Sequence, residues 1–251
     1  MKSVRNAMKA LELFIEQNPS VSVSQVSEHL GLPRSSASRL MSAMRESGMI
    51  EQEQKGGHYR PGLLAYRLGS AYAAHRSPRE TMRSAMQELA TQTRHSCWLS
   101  TLSGTEISIL EGIHGGYPIR LVVEIGSQLP AHATAGGKAL LARKADAQVR
   151  ALFGQARLEG FTDRTITSVE DLLAELAVIR HNKWAATNQE MIEGITSYAI
   201  SIRIPAEGID FAISVSFPVT NVSQSDAQKL QETLLSIGKG IGQKLGDLFW
   251  A

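Results

Sequence analysis

The chain has 251 residues, 26 Lys or Arg against 24 Asp or Glu, 43% hydrophobic residues and one cysteine, Cys97. That length suits two domains, and a lone cysteine excludes an intrachain disulfide and a cysteine-based metal cluster. No apolar run approaches membrane-spanning length and the first residues carry no cleavable apolar leader, so the expectation is a soluble cytoplasmic protein with no membrane partner and no cofactor.

In chain order, residues 5–17 form an amphipathic helix with Ala7, Ala10, Leu11 and Phe14 along one stripe. Residues 23–48 then read as a helix-turn-helix. Val23, Val26 and Leu30 mark one face of a short helix. Gly31-Leu32-Pro33 breaks it, because glycine tolerates the left-handed conformation and proline supplies no amide hydrogen. The second helix turns Ala37, Leu40, Met41 and Met44 inward at spacings of three and four. Its other face carries Arg34, Ser35, Ser36, Ser38, Arg39 and Ser42, small donors and cations suited to phosphates and base edges in a major groove. An ordinary helical hairpin would give the same two helices, but the flanks argue for more. Residues 49–53 and 59–61 read as two short strands around a turn at 55–58. Three helices and a hairpin make a winged helix-turn-helix, with Lys55 and His58 at the wing tip. Lys55 suits a phosphate contact and plain solvation equally; His58 suits solvation better, though it stands where DNA would pass.

Residues 1–77 hold ten Lys or Arg against six Asp or Glu, whereas 78–251 hold sixteen against eighteen. A modestly basic head on a slightly acidic body fits a protein whose N-terminal part alone meets a polyanion, with two heads acting together. The division expected is 1–62 for the winged helix-turn-helix, 63–77 for a linker helix and 78–251 for a second domain.

In the second domain a helix at 79–94 (Met82, Met86, Leu89, Ala90) leads into strands at 96–101 and 106–111 around Ser103-Gly104-Thr105. Another strand is expected at 119–125, then a helix through 139–142 and an amphipathic helix at 169–180. Strands at 197–205 and 210–217 and a long helix at 225–249 complete the chain. Strands bracketed by helices indicate an α+β fold with an antiparallel sheet.

The chain resembles the IclR family of bacterial transcriptional regulators along its whole length. The head carries Ala10-Leu11-Glu12-Leu13-Phe14, Gly31-Leu32-Pro33, Arg39-Leu40 and Ser47-Gly48 in the family order, and Tyr59-Arg60-Pro61-Gly62 resembles the family's Tyr-x-Leu-Gly. The run from Leu129 to Ala142, LPAHATAGGKALLA, matches the family's Pro-x-x-Ala-x-Ala-x-Gly-Lys-Ala-x-Leu-Ala signature. The resemblance implies a winged helix joined to a GAF-like effector domain, acting as a homodimer or dimer of dimers on a palindromic double-stranded DNA operator.

It also implies a pocket. Ala133, Thr134, Ala135, Gly136 and Gly137 would form a wall of small residues opening a helix, where amides suit a carboxylate; tight packing on the sheet is the alternative. Residues 184–202 resemble the family's Gly-Tyr-Ala-x-Asp-x-Glu-Glu-x-x-x-Gly segment and the strand after it. Thr187 and Gln189 stand where acids are common, which favours a small carboxylic acid as effector. By the same placement Ser197, Ala199 and Ser201 fall on the pocket strand and Ser214 and Ser216 on its neighbour. Trp98 and Leu121 would supply an apolar side suited to an aromatic ring. Cys97 reads as an inert buried thiol and His132 as a loop residue.

The sequence has no Gly-x-Ser-x-Gly elbow and no dinucleotide glycine pattern, and its seven histidines are scattered. The expectation is therefore not an enzyme, with no catalytic or metal-binding residues assigned. Two other readings remain: a metabolic enzyme that carries a helix-turn-helix, and an architectural DNA binder whose C-terminal domain only oligomerises.

Overall fold

The computed structural model describes residues 2–16, 20–52, 57–73, 76–118, 121–154 and 157–251. The chain divides into two compact units, residues 1–76 and 77–251.

The first unit runs α1 (Lys2–Glu16), α2 (Val23–Leu30), α3 (Arg34–Glu46), β1 (Ile50–Gln52), β2 (Tyr59–Pro61) and α4 (Leu63–Ala73). Ser22 and Gln25 form a reciprocal capping box that starts α2. Gly31 ends it at φ +59, a left-handed conformation that costs glycine nothing. The Ser27 hydroxyl donates to the Leu32 carbonyl across that turn, which fixes the angle between α2 and α3. Ala10, Leu13, Phe14, Val26, Ala37, Met41, Met44 and Ile50 form one buried cluster. β1 and β2 pair antiparallel, and Val21 adds a bridge to Tyr59 that the sequence pattern does not announce. The result is a winged helix-turn-helix.

The linker helix expected over 63–77 falls on α4 (Leu63–Ala73) and the start of α5 (Arg76–Thr93), and its residues 74 and 75 lie outside the described residues. Pro78 is the third residue of α5.

The second unit continues with β3 (Ser96–Ser103), β4 (Glu106–Ile113), β5 (Gln128–Pro130), α6 (Ala135–Leu141), α7 (Asp146–Phe153) and α8 (Val169–Asn182). It closes with β6 (Ala185–Asn188), β7 (Ile195–Ile204), β8 (Ile209–Pro218) and α9 (Gln224–Leu245). All pairings in the six-stranded sheet are antiparallel, in the order β5-β4-β3-β8-β7-β6. One face packs on α5 and α9: Met82, Met86, Leu89, Leu230 and Leu234 meet Leu99, Ile200, Ile202, Phe211, Ile213 and Val215. The other faces α6 and α8: Leu140, Leu141, Leu172 and Leu176 share a cluster with Trp98, Ala185, Ala199 and Ala212.

Two expected elements change. The strand at 119–125 does not form among the described residues 121–125, which run as an irregular loop. Leu121 and Val123 pack against the core while Val122 and Ile125 stay exposed, so the β-branched run covers a surface instead of joining the sheet. The last helix stops at Leu245, because Gly246 turns left-handed at φ +74 and the chain folds back. Trp250 then lies against Gly238 and Gly242 of α9, where an added Cβ would meet its ring at 2.3 and 2.5 Å. Among the described residues no helix is long and apolar enough to cross a membrane.

Candidate functional site

Strand register builds a cavity on the α6 face of the sheet. Trp98 on β3 pairs with Ser214 on β8, which pairs with Ala199 on β7. Two residues along, Ser216 pairs with Ser197, which pairs with Thr187 on β6. Direct partners share a face, so small side chains line up where large ones would fill the space. The void measures about 370 Å³, within the usual range for small-ligand pockets.

Its walls come from four places. The sheet gives Trp98, Ile107, Ile109, Thr187, Ser197, Ser214 and Ser216; the turn into α6 gives Ala133, Thr134, Ala135 and Gly136. The loop after β4 adds Leu121, Val122, Val123 and Glu124, and the segment between β6 and β7 adds Met191 and Ile192, with Ile195 at the first position of β7. No Lys, Arg or His lines it among the described residues, and Glu124 at the rim is solvent-exposed.

The hydroxyls differ in what remains free. Thr134 is spent on structure: it donates to the Pro130 carbonyl at 3.0 Å and accepts from the Gly137 amide at 3.3 Å. Ser197 and Ser216 share one hydrogen bond at 2.6 Å, so one of the two O–H groups is left free to donate. Among the described residues, Ser214 and Thr187 have no side-chain hydrogen bond to the protein. A mainly apolar cavity with unspent hydroxyls along one wall suits a small organic molecule with a polar end.

In the first unit, α3 presents Arg34, Ser35, Ser38 and Arg39 to solvent, with Ser36 and Ser42 half-buried. Arg34, Ser35 and Ser38 share a groove with His58, Tyr59 and the first residues of α2. Neither Arg34 nor Arg39 is held in an ion pair among the described residues. Lys55 lies outside the described residues.

A family model for the IclR helix-turn-helix domain matches residues 3–54, and one for the bacterial transcriptional regulator IclR C-terminal domain matches residues 70–243. The chain belongs to the IclR family. It is 28% identical over 246 residues to the HTH-type transcriptional regulator XynR of Escherichia coli K12, covering 98% of each chain. It is 25% identical over 250 residues to the transcriptional repressor IclR of the same organism, covering 99% of this chain and 91% of that one. A solved candidate ICLR transcriptional regulator from Silicibacter sp. TM1040 superposes with a TM-score of 0.87 at 24% identity, over 97% of this chain and 96% of that one. An IclR homolog from Microbacterium hydrocarbonoxydans, solved in complex with 4-hydroxybenzoate, gives 0.80 at 23% identity, over 97% and 99%.

Against this IclR-family frame, three of the expected pocket residues lie off the cavity. Gly137 is a packing position, since a Cβ there would come within 2.2 Å of the Ala131 carbonyl oxygen. Ala199 is fully buried in the core between β6 and β8. Ser201 belongs to a different buried cluster: its hydroxyl accepts from Arg143 Nε at 2.8 Å, while Arg143 also grips both Asp247 oxygens and stacks on Phe249. His132 is buried, its Nε2 bonded to the Glu159 carbonyl and its ring between Phe153 and Phe161. Cys97 is buried too, and burial pushes its thiol up, away from ionisation.

Of the apolar side of the cavity, the sequence pattern pointed to Trp98 and Leu121 but not to the other residues. Ile107 and Ile109 could have been found from period-two spacing on β4. Met191, Ile192 and Val122 could not, because they sit in irregular segments whose placement follows from tertiary contacts.

Below the cavity wall, Lys138 of α6 is fully buried and its Nζ lies 2.7 Å from both Glu190 oxygens, although only Oε1 accepts with good direction. Glu175 stands 3.9 Å from the same Nζ. Burial pushes the Glu190 carboxyl above the usual glutamate range, against the opposing pull of Lys138.

Proposed function

We propose that this IclR-family regulator binds a palindromic operator as a homodimer or dimer of dimers and responds to a small organic acid, aromatic acids included. The observation that carries the ligand half is the cavity of about 370 Å³ with free hydroxyls on Ser214 and Thr187 facing apolar walls. With no cation on the described lining, the carboxylate would be held by hydroxyls, including the Ser197–Ser216 pair, while Trp98, Leu121 and the isoleucines of β4 take the ring. The α6 helix has only seven residues, too short for its dipole to replace those hydroxyls. The bound 4-hydroxybenzoate of the Microbacterium hydrocarbonoxydans homolog is chemistry of the same class.

The DNA half rests on the free guanidinium groups of Arg34 and Arg39 and the serines beside them, with Ser36, Ser42, Lys55 and His58 as secondary contacts. Pairing of two chains through α4 is supported by its exposed Leu63 and Tyr66, which are 67% and 73% accessible. An effector then acts by its differential affinity for two arrangements of the heads, and by nothing else.

The test is a thermal-shift screen of the full chain against 4-hydroxybenzoate and a panel of small acids, followed by operator binding with each hit. A ligand that binds only the folded state at 100 times its Kd adds about 2.7 kcal/mol. Operator binding indifferent to every acid would leave a protein whose second unit only oligomerises. Arg39→Ala should weaken operator binding by roughly 1–3 kcal/mol at fixed salt without loss of folding, because the side chain is exposed; equal affinity removes Arg39 from the interface.

A further inference from the structure

The segment from Gln189 to Ile195 forms a small closed flap over the cavity. Gln189 has a left-handed backbone (φ +61), its side-chain oxygen accepts from the Gly194 amide at 2.9 Å, and its own amide donates to the Ile195 carbonyl at 2.9 Å. Met191, Ile192 and Ile195 from this flap face the cavity. Thr162 donates to the Gln189 carbonyl at 2.7 Å and Thr165 to the Glu190 carbonyl at 2.6 Å, so the backbone is pinned at the start of the flap. The Glu190 side chain of the pinned segment reaches Lys138 on the opposite wall at 2.7 Å. That lysine lies one helical turn beyond Thr134, Ala135 and Gly136, which line the cavity from the α6 side.

A buried ion pair adds little net stability over an apolar pair of equal volume, but an ammonium and a carboxylate demand one mutual direction. We propose that Lys138 and Glu190 are positioning residues for the effector, tying the 189–195 flap to the α6 wall so that the two sides of the cavity move as one. The inference rests on the ligand-binding role of this cavity. Neither side chain touches the ligand: both act through Met191, Ile192 and the turn into α6. A ligand pressed against either wall is then felt by both, and cutting the tie lowers affinity without changing a contact residue.

Amide hydrogen exchange of the full chain reads the tie without any ligand. In Glu190→Gln the amides of 189–195 should exchange at least about tenfold faster than in the wild type, while those of α8 and α9 keep their rates. Unchanged flap exchange, or an even rise through the whole second unit, overturns the proposal and leaves a purely structural pair. Should Glu190→Gln fail to fold, Glu190→Asp keeps the charge and shortens the reach; faster flap exchange supports the tie and an unchanged rate overturns it. With 4-hydroxybenzoate as probe, the flap-loosened variant should bind at least about tenfold more weakly at unchanged operator affinity; equal affinity overturns the coupling to the ligand. A wild type that ignores every acid would instead sink the acid reading, with the flap exchange still deciding the role of the pair.

Discussion

The two faces of the six-stranded sheet are made by the same strands and do opposite work. On β8, Phe211, Ile213, Val215 and Phe217 point one way into the core with α5 and α9, while Ala212, Ser214 and Ser216 point the other. β7 repeats the arrangement, with Ile200, Ile202 and Ile204 on the packed face and Ser197, Ala199 and Ser201 opposite. Both faces are buried, so the alternation is one of size more than of polarity. The large side chains supply the stability, and the small ones leave the room in which something else can sit. Along one strand, stability and vacancy are separated by a single residue step.

The largest expected effect tests the packed face. Phe211 is 1% exposed, and Phe211→Ala should cost about 3–5 kcal/mol of unfolding free energy in a denaturant titration. A loss below about 1 kcal/mol would mean this face is not the one that holds the unit together. Next comes the cavity face, where the proposed ligand would sit. Ala135→Trp places an indole in the space and should abolish the response to an acid that acts on the wild type, with operator affinity kept and overpacking costing about 1–3 kcal/mol. A normal response would place the ligand elsewhere. Smaller again is Ser214→Ala, which removes a hydroxyl with no protein partner. It should change stability by no more than about 0.5 kcal/mol yet weaken acid binding by about 1 kcal/mol. A large stability loss would show the hydroxyl to be structural and blur the distinction between the faces.

How much of this was legible follows from the same contrast. The head is read from local signals, since Gly31, the Ala37–Met41–Met44 stripe and the serines of α3 each act within one or two helical turns. The strands β3, β7 and β8 also declare themselves, because period-two spacing survives in one dimension. The cavity is different. Ser197, Ser214, Ser216 and Trp98 could be placed on the right strands, but Ser201 has the same strand parity as Ser197 and goes to Arg143 instead. Nothing in the sequence near Ser201 announces that guanidinium, which arrives from 58 residues away. The loop at 121–125 fails for the opposite reason: its apolar, β-branched residues favour a strand locally, and only the open space beneath it makes a cover more favourable. Ion pairs such as Lys138–Glu190, 52 residues apart, are equally invisible before folding.

The smallest effect contrasts those two buried ion pairs, one on α6 and one just beyond it. Asp247 would be raised by burial, but bonds from Arg143 and from the Arg203 amide outweigh this and hold it below the usual aspartate range. At Glu190 burial outweighs the pull of Lys138 and the Asn188 backbone bond, which leaves it above the glutamate range. The two should therefore respond to acid with opposite signs. Glu190 binds its proton more readily folded than unfolded, so its contribution grows as pH falls from above its raised value to the ordinary glutamate value. Asp247 contributes fully above the ordinary aspartate value and loses that contribution as pH falls towards its lowered one. Denaturant midpoints across pH for the wild type, Glu190→Gln and Asp247→Asn separate them. The wild type should gain on Glu190→Gln as the first window is crossed downward, and its advantage over Asp247→Asn should shrink in the second. Two differences that move in the same direction would mean that the bonds to the Glu190 carboxylate outweigh its burial as those to Asp247 do, so that Lys138 holds it as firmly as Arg143 holds Asp247.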